Sequence, residues 1–284
     1  MKEDTIHIVC CIKQVPDTAQ VKIDPETNTL VRSGVESISN PYDLVATEAG
    51  VQLVEKHGGK VTLISMGPPQ TESALRECLS LGASEAILLS DRAFAGADTL
   101  ATSYTLARAI SKISATDPVD LVICGRQAID GDTGQTGPGI ATRLGYNQFV
   151  YVSKIIEVDI ENRTIAVRRQ VEGGSETIEG KLPALLTVEL ELTTPRYATL
   201  PEFVRALSQD IRVWGANQIE APMERLGLKG SPTWVKAIFV PKPRRGGVIF
   251  DGTGSSEQVV DNFLAAFFGK EAELLGELFD KGKG

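Results

Sequence analysis

The chain is poor in the residues that build metal and thiol sites. Its 284 residues include two histidines and four cysteines. Cys10 and Cys11 are adjacent, and no Cys-x-x-Cys spacing occurs. A zinc site needs Cys or His ligands at characteristic spacings, so we expect no metal site. Cys10, Cys11 and Cys124 lie in apolar runs, which is typical of reduced thiols packed as small hydrophobes.

Long apolar runs and an excess of positive charge are also lacking. No stretch approaches the ~20 apolar residues that cross a bilayer, and the apolar run near the N-terminus is too short for a signal peptide core. The formal net charge is −8, which argues against a nucleic-acid surface. We therefore expect a soluble, cytoplasmic protein with no membrane span and no nucleic-acid partner.

Side chains that would form a catalytic site do not cluster. Ser65 and Ser90 have no histidine in a suitable pattern, and paired carboxylates are missing. A nucleotide-dependent sensor or ATP-using enzyme of similar fold is a separate hypothesis, since doubly wound sheets host many functions. The lack of a Gly-x-x-x-x-Gly-Lys-Ser/Thr motif counts against ATP hydrolysis.

Short apolar segments alternate with amphipathic ones through the first half of the chain. Four segments predict buried strands: residues 6–13, 61–66, 86–89 and 121–124. Helices are expected from Pro41, after Pro69 and from Thr99, with Asn40 as the cap of the first. This alternation predicts an α/β fold with a doubly wound, mostly parallel sheet. Ligands bind outside the carboxyl ends of such strands, where the loops starting at Lys13, Met66, Ser90 and Gly125 would meet.

The pattern changes after Phe149. Strand-like segments predict antiparallel additions or a small β-meander at residues 150–158, 164–171, 175–178 and 185–190. Prolines then interrupt the chain, and Ser255 with Gln258 forms a possible capping box for a terminal helix. We divide the chain into an α/β nucleotide-binding domain at 1–192 and a proline-rich arm at 193–247. A helical segment at 248–284 would dock on another subunit or on its own domain.

The most informative segment is the glycine-rich stretch from Gly125 to Gly139. It follows the apolar residues 119–123 directly and leads into the helix-like residues 140–144. Loop amides and the positive end of a helix converge on negative charge at such a place. Pro138 suits a first helical turn. The segment therefore predicts a site for a phosphorylated cofactor.

Five separated blocks of the chain together resemble the β subunit of an electron-transfer flavoprotein. The blocks are residues 9–17, 40–43, 65–70, 125–137 and 195–201. The resemblance covers essentially the whole chain. It implies an electron carrier, in a heterodimer with an α subunit that carries an electron-shuttling FAD. It also implies a nucleotide site in the β subunit and a surface for partner dehydrogenases.

Two features resemble the electron-bifurcating members, whose β site holds a second FAD, more than the ordinary members, whose β site holds structural AMP. The first is Gly131 with Gly134, where positive φ would let the loop wrap a pyrophosphate. The second is segment 90–99, whose small residues Ala93, Ala95, Gly96 and Ala97 would leave room for an isoalloxazine. We expect FAD, with AMP as the alternative. NADH would then give a hydride, and electrons would pass to ferredoxin or flavodoxin and, through the α-subunit FAD, to a flavin-dependent dehydrogenase.

The expected cofactor contacts come from five segments. They are Cys11; Asn40, Tyr42 and Asp43; Met66; Asp91, Phe94 and Thr99; and Gly125, Arg126, Gln127, Ala128, Asp130, Gly131, Asp132, Thr133, Gly134, Gln135, Thr136 and Gly137. Loop amides would hold phosphate, with the hydroxyls of Thr133 and Thr136 and the amide of Gln135 as further donors.

Several of these residues have more than one interpretation. Arg126 would pair with phosphate, tune the flavin or lie in solvent. Asp130 and Asp132 are expected to cap the loop or the next helix. The remaining assignments are Met66 beside adenine or in the core, Phe94 as flavin cover or loop anchor, and Asp91 as acceptor from a ribose or ribityl hydroxyl. Leu200 matches the family's recognition loop and would insert into a pocket of the dehydrogenase.

Overall fold

A mixed sheet surrounded by helices dominates the computed structural model, which describes residues 5–17, 22–23, 30–31, 37–236, 249–250, 252 and 255–270. The strands are β1 Ile6–Ile12, β2 Gln14–Pro16, β3 Lys22–Ile23, β4 Leu30–Val31, β5 Ser37–Ser39, β6 Gly59–Met66, β7 Glu85–Leu89, β8 Leu121–Gly125, β9 Asn147–Asp159, β10 Thr164–Val171, β11 Gly174–Lys181, β12 Ala184–Val188 and β13 Arg212–Trp214. The helices are α1 Pro41–His57, α2 Glu72–Ser80, α3 Thr99–Thr116, α4 Thr136–Leu144, α5 Leu200–Ser208 and α6 Ser256–Lys270. The chain divides into two compact units, with the boundary between residues 238 and 239.

The central sheet confirms the predicted doubly wound α/β fold. Its strand order is β11-β10-β9-β12-β8-β1-β6-β7-β13. β1 pairs in parallel with β6 on one side and with β8 on the other. The chain therefore winds outward from β1 through β6 and β7, and then crosses back to β8 and β12. The direction of winding reverses between β1 and β8.

Both faces of the parallel strands are buried, which explains their continuous apolar sequences. All seven residues of β1 are buried. Ile8 and Cys10 belong to the cluster that includes residues of α1 and α2, and Val9 and Cys11 belong to the cluster that includes residues of α3 and α4. A strand with this burial cannot alternate polar and apolar residues, so the four sequence segments were recognisable.

The second half of the sheet corrects one expectation. β9, β10 and β11 form the predicted antiparallel meander. β12, however, pairs in parallel with both β8 and β9, so the prediction that residues 185–190 are an antiparallel addition is wrong. The chain returns from β11 and inserts β12 between β8 and β9, where all five of its residues are buried.

Residues 193–236 form regular structure that the prolines concealed. α5 packs against α2, and β13 extends the sheet in parallel beyond β7. The three-part division of the chain remains a prediction. Residues 237–247 of the proposed arm, and residues 248, 251, 253–254 and 271–284 of the proposed helical segment, lie outside the described residues. In the second unit, the backbone N–H of Gln258 donates to Ser255 Oγ at 3.3 Å, which is one half of the expected capping box.

None of the helices in the described part of the chain combines the length and apolar character needed to cross a bilayer.

Candidate nucleotide-binding site

A crevice is expected where the loops after β1 and β8 separate. These two strands are neighbours in the sheet, and the chain leaves them toward opposite faces. Ligands of open α/β sheets bind at this switch point, outside the carboxyl ends of the strands. The loops that border it begin at Lys13 and Arg126.

Asp43, in the first turn of α1, ties the two loops together. Its Oδ2 accepts from the backbone N–H of Lys13 at 2.8 Å, and its Oδ1 accepts from that of Gly125 at 3.1 Å. The side chain is 6% exposed, and burial raises its pKa to about 7. A Cβ at Gly125 would overlap Asp43 Oδ1 and Tyr42 Cβ. Asp43 therefore fixes the separation of the loops from inside the protein.

Asn40 occupies the N-cap position of α1, as predicted, but its side chain makes no capping hydrogen bond to the helix. Instead, Nδ2 donates to the carbonyl of Gln127 at 2.9 Å, and Oδ1 accepts from the N–H of Ile129 at 3.2 Å. The prediction that this side chain caps the helix is therefore wrong, whereas Pro41 does occupy the first turn. The amide group of Asn40 instead binds the backbone of the loop after β8.

The two aspartates of this loop bind side chains instead of capping backbone groups as predicted. Lys13 Nζ donates to both carboxylate oxygens of Asp130, at 2.6 and 2.8 Å. Gln127 Nε2 donates to Asp132 Oδ1 at 2.9 Å. The capping predictions are wrong because the carboxylates accept hydrogen bonds from the Lys13 and Gln127 side chains and not from backbone N–H groups. The Lys13 contact spans from the loop after β1 to the loop after β8.

Positive φ occurs at two loop residues, only one of which was expected. Gly134 has φ 63°, as predicted, and Asp132 has φ 52°. Gly131 is not among the residues with positive φ, and a Cβ there would meet open space. Aspartate tolerates the left-handed region better than most residues, so the loop turns at Asp132 and does not need Gly131.

The first turn of α4 presents backbone donors. Its preceding residue, Gln135, makes no capping hydrogen bond with its side chain. That side chain accepts at Oε1 from Thr99 Oγ1 at 3.2 Å, which joins the loops after β7 and β8. Uncapped N–H groups at the positive end of a helix are suited to phosphate. The residues present therefore fit the phosphate of a nucleotide, with Thr133 exposed and Thr136 partly exposed nearby.

Gly137 lets α4 approach the sheet closely. A Cβ there would lie 2.6 Å from Thr187 Cγ2 of β12, a buried methyl that cannot move far. Gly137→Ala is expected to destabilise the protein by about 1–3 kcal/mol through overpacking. Gly131→Ala is the matched control, with an expected change within about 0.5 kcal/mol. Urea unfolding of both variants checks this; equal stabilities would contradict the packing argument.

The loop after β7 has fewer free groups than expected. Phe94 is 5% exposed within the core, which supports its interpretation as an anchor of the loop. Asp91 accepts from the N–H groups of Ala93 at 2.9 Å and Ala216 at 3.0 Å, and these bonds lower its pKa. A Cβ at Gly96 would lie 2.7 Å from Leu228 Cγ. The segment is thus packed against residues that follow β13.

The remaining predicted contacts divide between the core and the crevice. Met66 ends β6 and is partly buried against the core. Cys11 and Cys124 are buried neighbours on β1 and β8, in register. Gln127 and Ala128 are partly exposed in the loop. Leu200 begins α5, which packs on α2, so it belongs to a different surface.

Sequence reasoning missed three residues at this edge of the sheet: Lys13, Tyr151 and Glu189. Arg126 Nη1 donates to Glu189 Oε1 at 3.1 Å, and its guanidinium lies 5.3 Å from the ring centroid of Tyr151. The position of Lys13 at the end of β1 was a usable signal. The other two contacts depend on β12 lying in parallel beside β8, which the pattern did not reveal.

No group of three or more His, Cys, Asp or Glu side chains in the described residues is arranged to hold a metal ion. The four cysteines are free and buried.

This chain is similar to known proteins over most of its length. The family model "Electron transfer flavoprotein domain" matches residues 27–218. Protein FixA of Azotobacter vinelandii is 47% identical over 277 residues, which cover 96% of this chain and 98% of the relative. The electron transfer flavoprotein subunit beta of Thermoanaerobacterium thermosaccharolyticum is 50% identical over 260 residues, 91% of this chain and 96% of the relative. The corresponding subunit of Clostridium acetobutylicum is 48% identical over 246 residues, 87% and 92% of the two chains. The chain therefore belongs to the electron transfer flavoprotein family, in the group of β subunits that includes FixA.

Proposed function

We propose that this chain is the β subunit of a heterodimeric, cytoplasmic electron transfer flavoprotein that holds FAD in the crevice between β1 and β8. The bound flavin would supply hydride acceptance from NADH and the division of electrons between ferredoxin or flavodoxin and the α-subunit FAD, which serves a flavin-dependent dehydrogenase. The observation that carries the proposal is the reversal of the winding direction between β1 and β8, at the edge where a glycine-containing loop leads from β8 into the uncapped start of α4.

The residues of the chain would bind and orient the nucleotide. The first N–H groups of α4 would donate to phosphate oxygens, with Thr133 and Thr136 as further donors. Asn40 and Asp43 would keep the loop after β8 at a fixed distance from Lys13 through four hydrogen bonds. In this proposal the redox chemistry belongs to the flavin, and the chain contributes position and electrostatics.

A site for structural AMP is the second candidate, and specific observations favour it. Gly131, one of the residues that suggested FAD, has neither positive φ nor close neighbours at Cβ. Part of the space beside the small residues of segment 90–99, which was expected to hold a flavin, is filled, because Gly96 packs against Leu228. Both forms share the phosphate site at α4, so the geometry there does not separate them.

The number of flavins in the assembled protein distinguishes the two candidates. The chain is co-expressed with its α subunit, purified, and denatured to release its nucleotides. Two FAD per heterodimer are expected. One FAD with one AMP would overturn the FAD-site proposal, and failure of a larger flavoprotein subunit to co-purify would overturn the assignment as a β subunit.

The docking surface for the dehydrogenase is proposed to be the outer face of α5. Four large apolar residues with helical spacing are exposed on it: Leu200, Phe203, Val204 and Leu207. The helix packs inward through Ala206, its only buried residue, and Arg205 donates to the carbonyls of Leu79 and Ala83. An amphipathic helix normally buries its large apolar residues. The exposure of these four, with Leu200 75% exposed, supports a role in binding a partner.

Leu200→Ala combined with Phe203→Ala is expected to weaken dehydrogenase binding by roughly tenfold or more, because apolar anchors carry much of an interface's affinity. Stability should change by less than about 0.5 kcal/mol, since both side chains are exposed. Ile156→Ala is the control, as an exposed apolar residue on β9. Electron transfer from the purified heterodimer to its dehydrogenase, titrated with dehydrogenase, measures the effect. Equal affinity of the double variant and the control would exclude α5 from the interface.

A further inference from the structure

Three residues near the carboxyl ends of β8 and β12 form a fixed group. Arg126 follows β8, Glu189 follows β12, and Tyr151 lies within β9. Arg126 Nη1 lies 3.1 Å from Glu189 Oε1 and 3.4 Å from Oε2. The ring centroid of Tyr151 is 5.3 Å from the guanidinium carbon. A carboxylate and an aromatic ring thus hold one guanidinium.

The backbone holds each member of the group in place. The N–H of Arg126 donates to the carbonyl of Val188 at 3.0 Å, and that of Glu189 donates to Val152 at 2.9 Å. The N–H of Tyr151 donates to Thr187 Oγ1 at 3.1 Å. Tyr151 also has φ 60°, a conformation that a bulky residue adopts only at a cost. Such strain is typical of functional sites, where a side chain must point in one particular direction.

The guanidinium keeps free donors despite these contacts. Among the described residues, its Nε and Nη2 have no hydrogen-bond acceptor, and about a third of the side chain is exposed. Glu189 is 6% exposed, and Arg126 is the cation that pairs with it. The planar fork of arginine can bind one carboxylate and still present two donors to another anion.

The group adjoins the start of α4. A Cβ at Gly134 would lie 3.5 Å from the carbonyl oxygen of Arg126, and one at Gly137 would lie 2.6 Å from Thr187 Cγ2. Thr187 precedes Glu189 by two residues at the end of β12. The backbone N–H groups at the start of α4, which suit phosphate, and the free donors of Arg126 therefore both lie at the carboxyl ends of β8 and β12.

We infer that Glu189 and Tyr151 are positioning residues, which hold the Arg126 guanidinium as a fixed cation for the phosphate of the bound nucleotide. This inference rests on the proposed nucleotide site. It differs from a role in charge cancellation, in which Glu189 would merely weaken the attraction of Arg126 for an anion. The two roles predict opposite signs when Glu189 is neutralised.

Binding of AMP, FAD and adenosine to the full chain, freed of nucleotide, tests the inference. Arg126→Gln is expected to weaken AMP and FAD binding by roughly tenfold, the usual scale of one charge-assisted hydrogen bond. Adenosine, which lacks phosphate, should bind with unchanged affinity. Glu189→Gln should weaken AMP binding in the same direction, by roughly three- to tenfold. The double variant should match Arg126→Gln, because both changes remove the same contact.

Further variants guard against a merely structural effect. Glu191→Gln is the control, since Glu191 is exposed and accepts from Gln170. Tyr151→Ala should weaken AMP binding. Tyr151→Phe should bind AMP as the unaltered chain does, because it retains the ring face that contacts the guanidinium. If Glu189→Gln does not fold, Arg126→Lys tests the same fork without altering the carboxylate, and should weaken AMP binding several-fold.

The outcomes separate the inference from the proposed function. Unchanged or tighter AMP binding by Glu189→Gln would overturn the positioning role while leaving the nucleotide site intact. Equal losses for adenosine and AMP would also overturn it, because they would show general damage to the crevice. Failure of the unaltered chain to bind either AMP or FAD would overturn the proposed function, and the inference with it.

Discussion

Replacing Arg196 by methionine is expected to lower the free energy of unfolding by about 3–5 kcal/mol, the usual cost of removing one partner of a buried ion pair. Arg196 donates from Nε and Nη2, and from its backbone N–H, to the carboxylate of Glu48 in α1. Glu48 is 2% exposed. Without the guanidinium, the buried carboxylate would keep two neutral donors, the backbone N–H of residue 196 at 3.1 Å and Gln52 Nε2 at 2.8 Å, and would lose its cation.

The pH dependence of this loss has a defined sign. Burial acts to raise the pKa of Glu48, but the hydrogen bonds from Arg196 outweigh it and lower the pKa. The stabilisation is therefore present above the pKa of the unfolded chain and is lost as pH falls through the lower folded value. In Arg196→Met, Glu48 stays buried but loses the guanidinium that lowers its pKa. The difference in unfolding free energy between the unaltered protein and the variant should therefore shrink as pH falls.

Urea unfolding at several pH values measures both effects. Glu55→Gln is the matched control. Glu55 also binds Arg196, but it is 54% exposed, and an exposed pair contributes less than about 1 kcal/mol. Glu48→Gln combined with Arg196→Met should recover part of the loss. A loss below 1 kcal/mol in Arg196→Met would contradict the argument.

Asp43→Ala is the second change with a large expected effect. It would leave the N–H groups of Lys13 and Gly125 without their acceptor, at about 1–3 kcal/mol for each buried group. The loops on the two sides of the crevice would also lose their connection, so we expect weaker binding of AMP and FAD. Asp43→Asn, which retains one acceptor oxygen, should lose less in both unfolding and binding measurements. Equal losses for the two variants would contradict the bridging role.

Asp43 also predicts a pH effect opposite to that of Glu48. Burial raises its pKa from 3.8 to about 7. Between these values the folded state binds more protons than the unfolded state, so this group's contribution to stability falls as pH rises, by at most about 1.4 kcal/mol per unit. The difference in unfolding free energy between the unaltered protein and Asp43→Asn should therefore decrease from pH 4 to pH 7. A constant difference would contradict the raised pKa.

The parallel core and the strand–loop–helix order around the glycine-rich segment could be predicted because their signals are local. β1, β6, β7 and β8 are short apolar runs separated by helical patterns, and only a sheet covered on both faces needs such runs. The strand–loop–helix order at residues 121–144 placed a phosphate site at the carboxyl edge of that sheet. Each of these conclusions depends on neighbours within about one supersecondary unit.

The direction of β12 and the presence of α5 could not be predicted in the same way. An apolar run such as Ala184–Val188 suits a parallel or an antiparallel strand equally, and the return path of the chain decides between them. In α5, Pro201 and the exposed apolar stripe resembled a loop, because periodicity shows a stripe without showing which side it faces.

The sequence alone determined the parallel strands β1, β6, β7 and β8, their burial on both faces and the strand–loop–helix order at residues 121–144, since apolar runs and glycine placement are local features of consecutive residues. The roles of Asn40, Asp43 and Glu189 were decided only by tertiary structure. Their partners lie between 30 and 89 residues away in the chain, and a hydrogen bond of this kind depends on which strand ends the fold brings side by side.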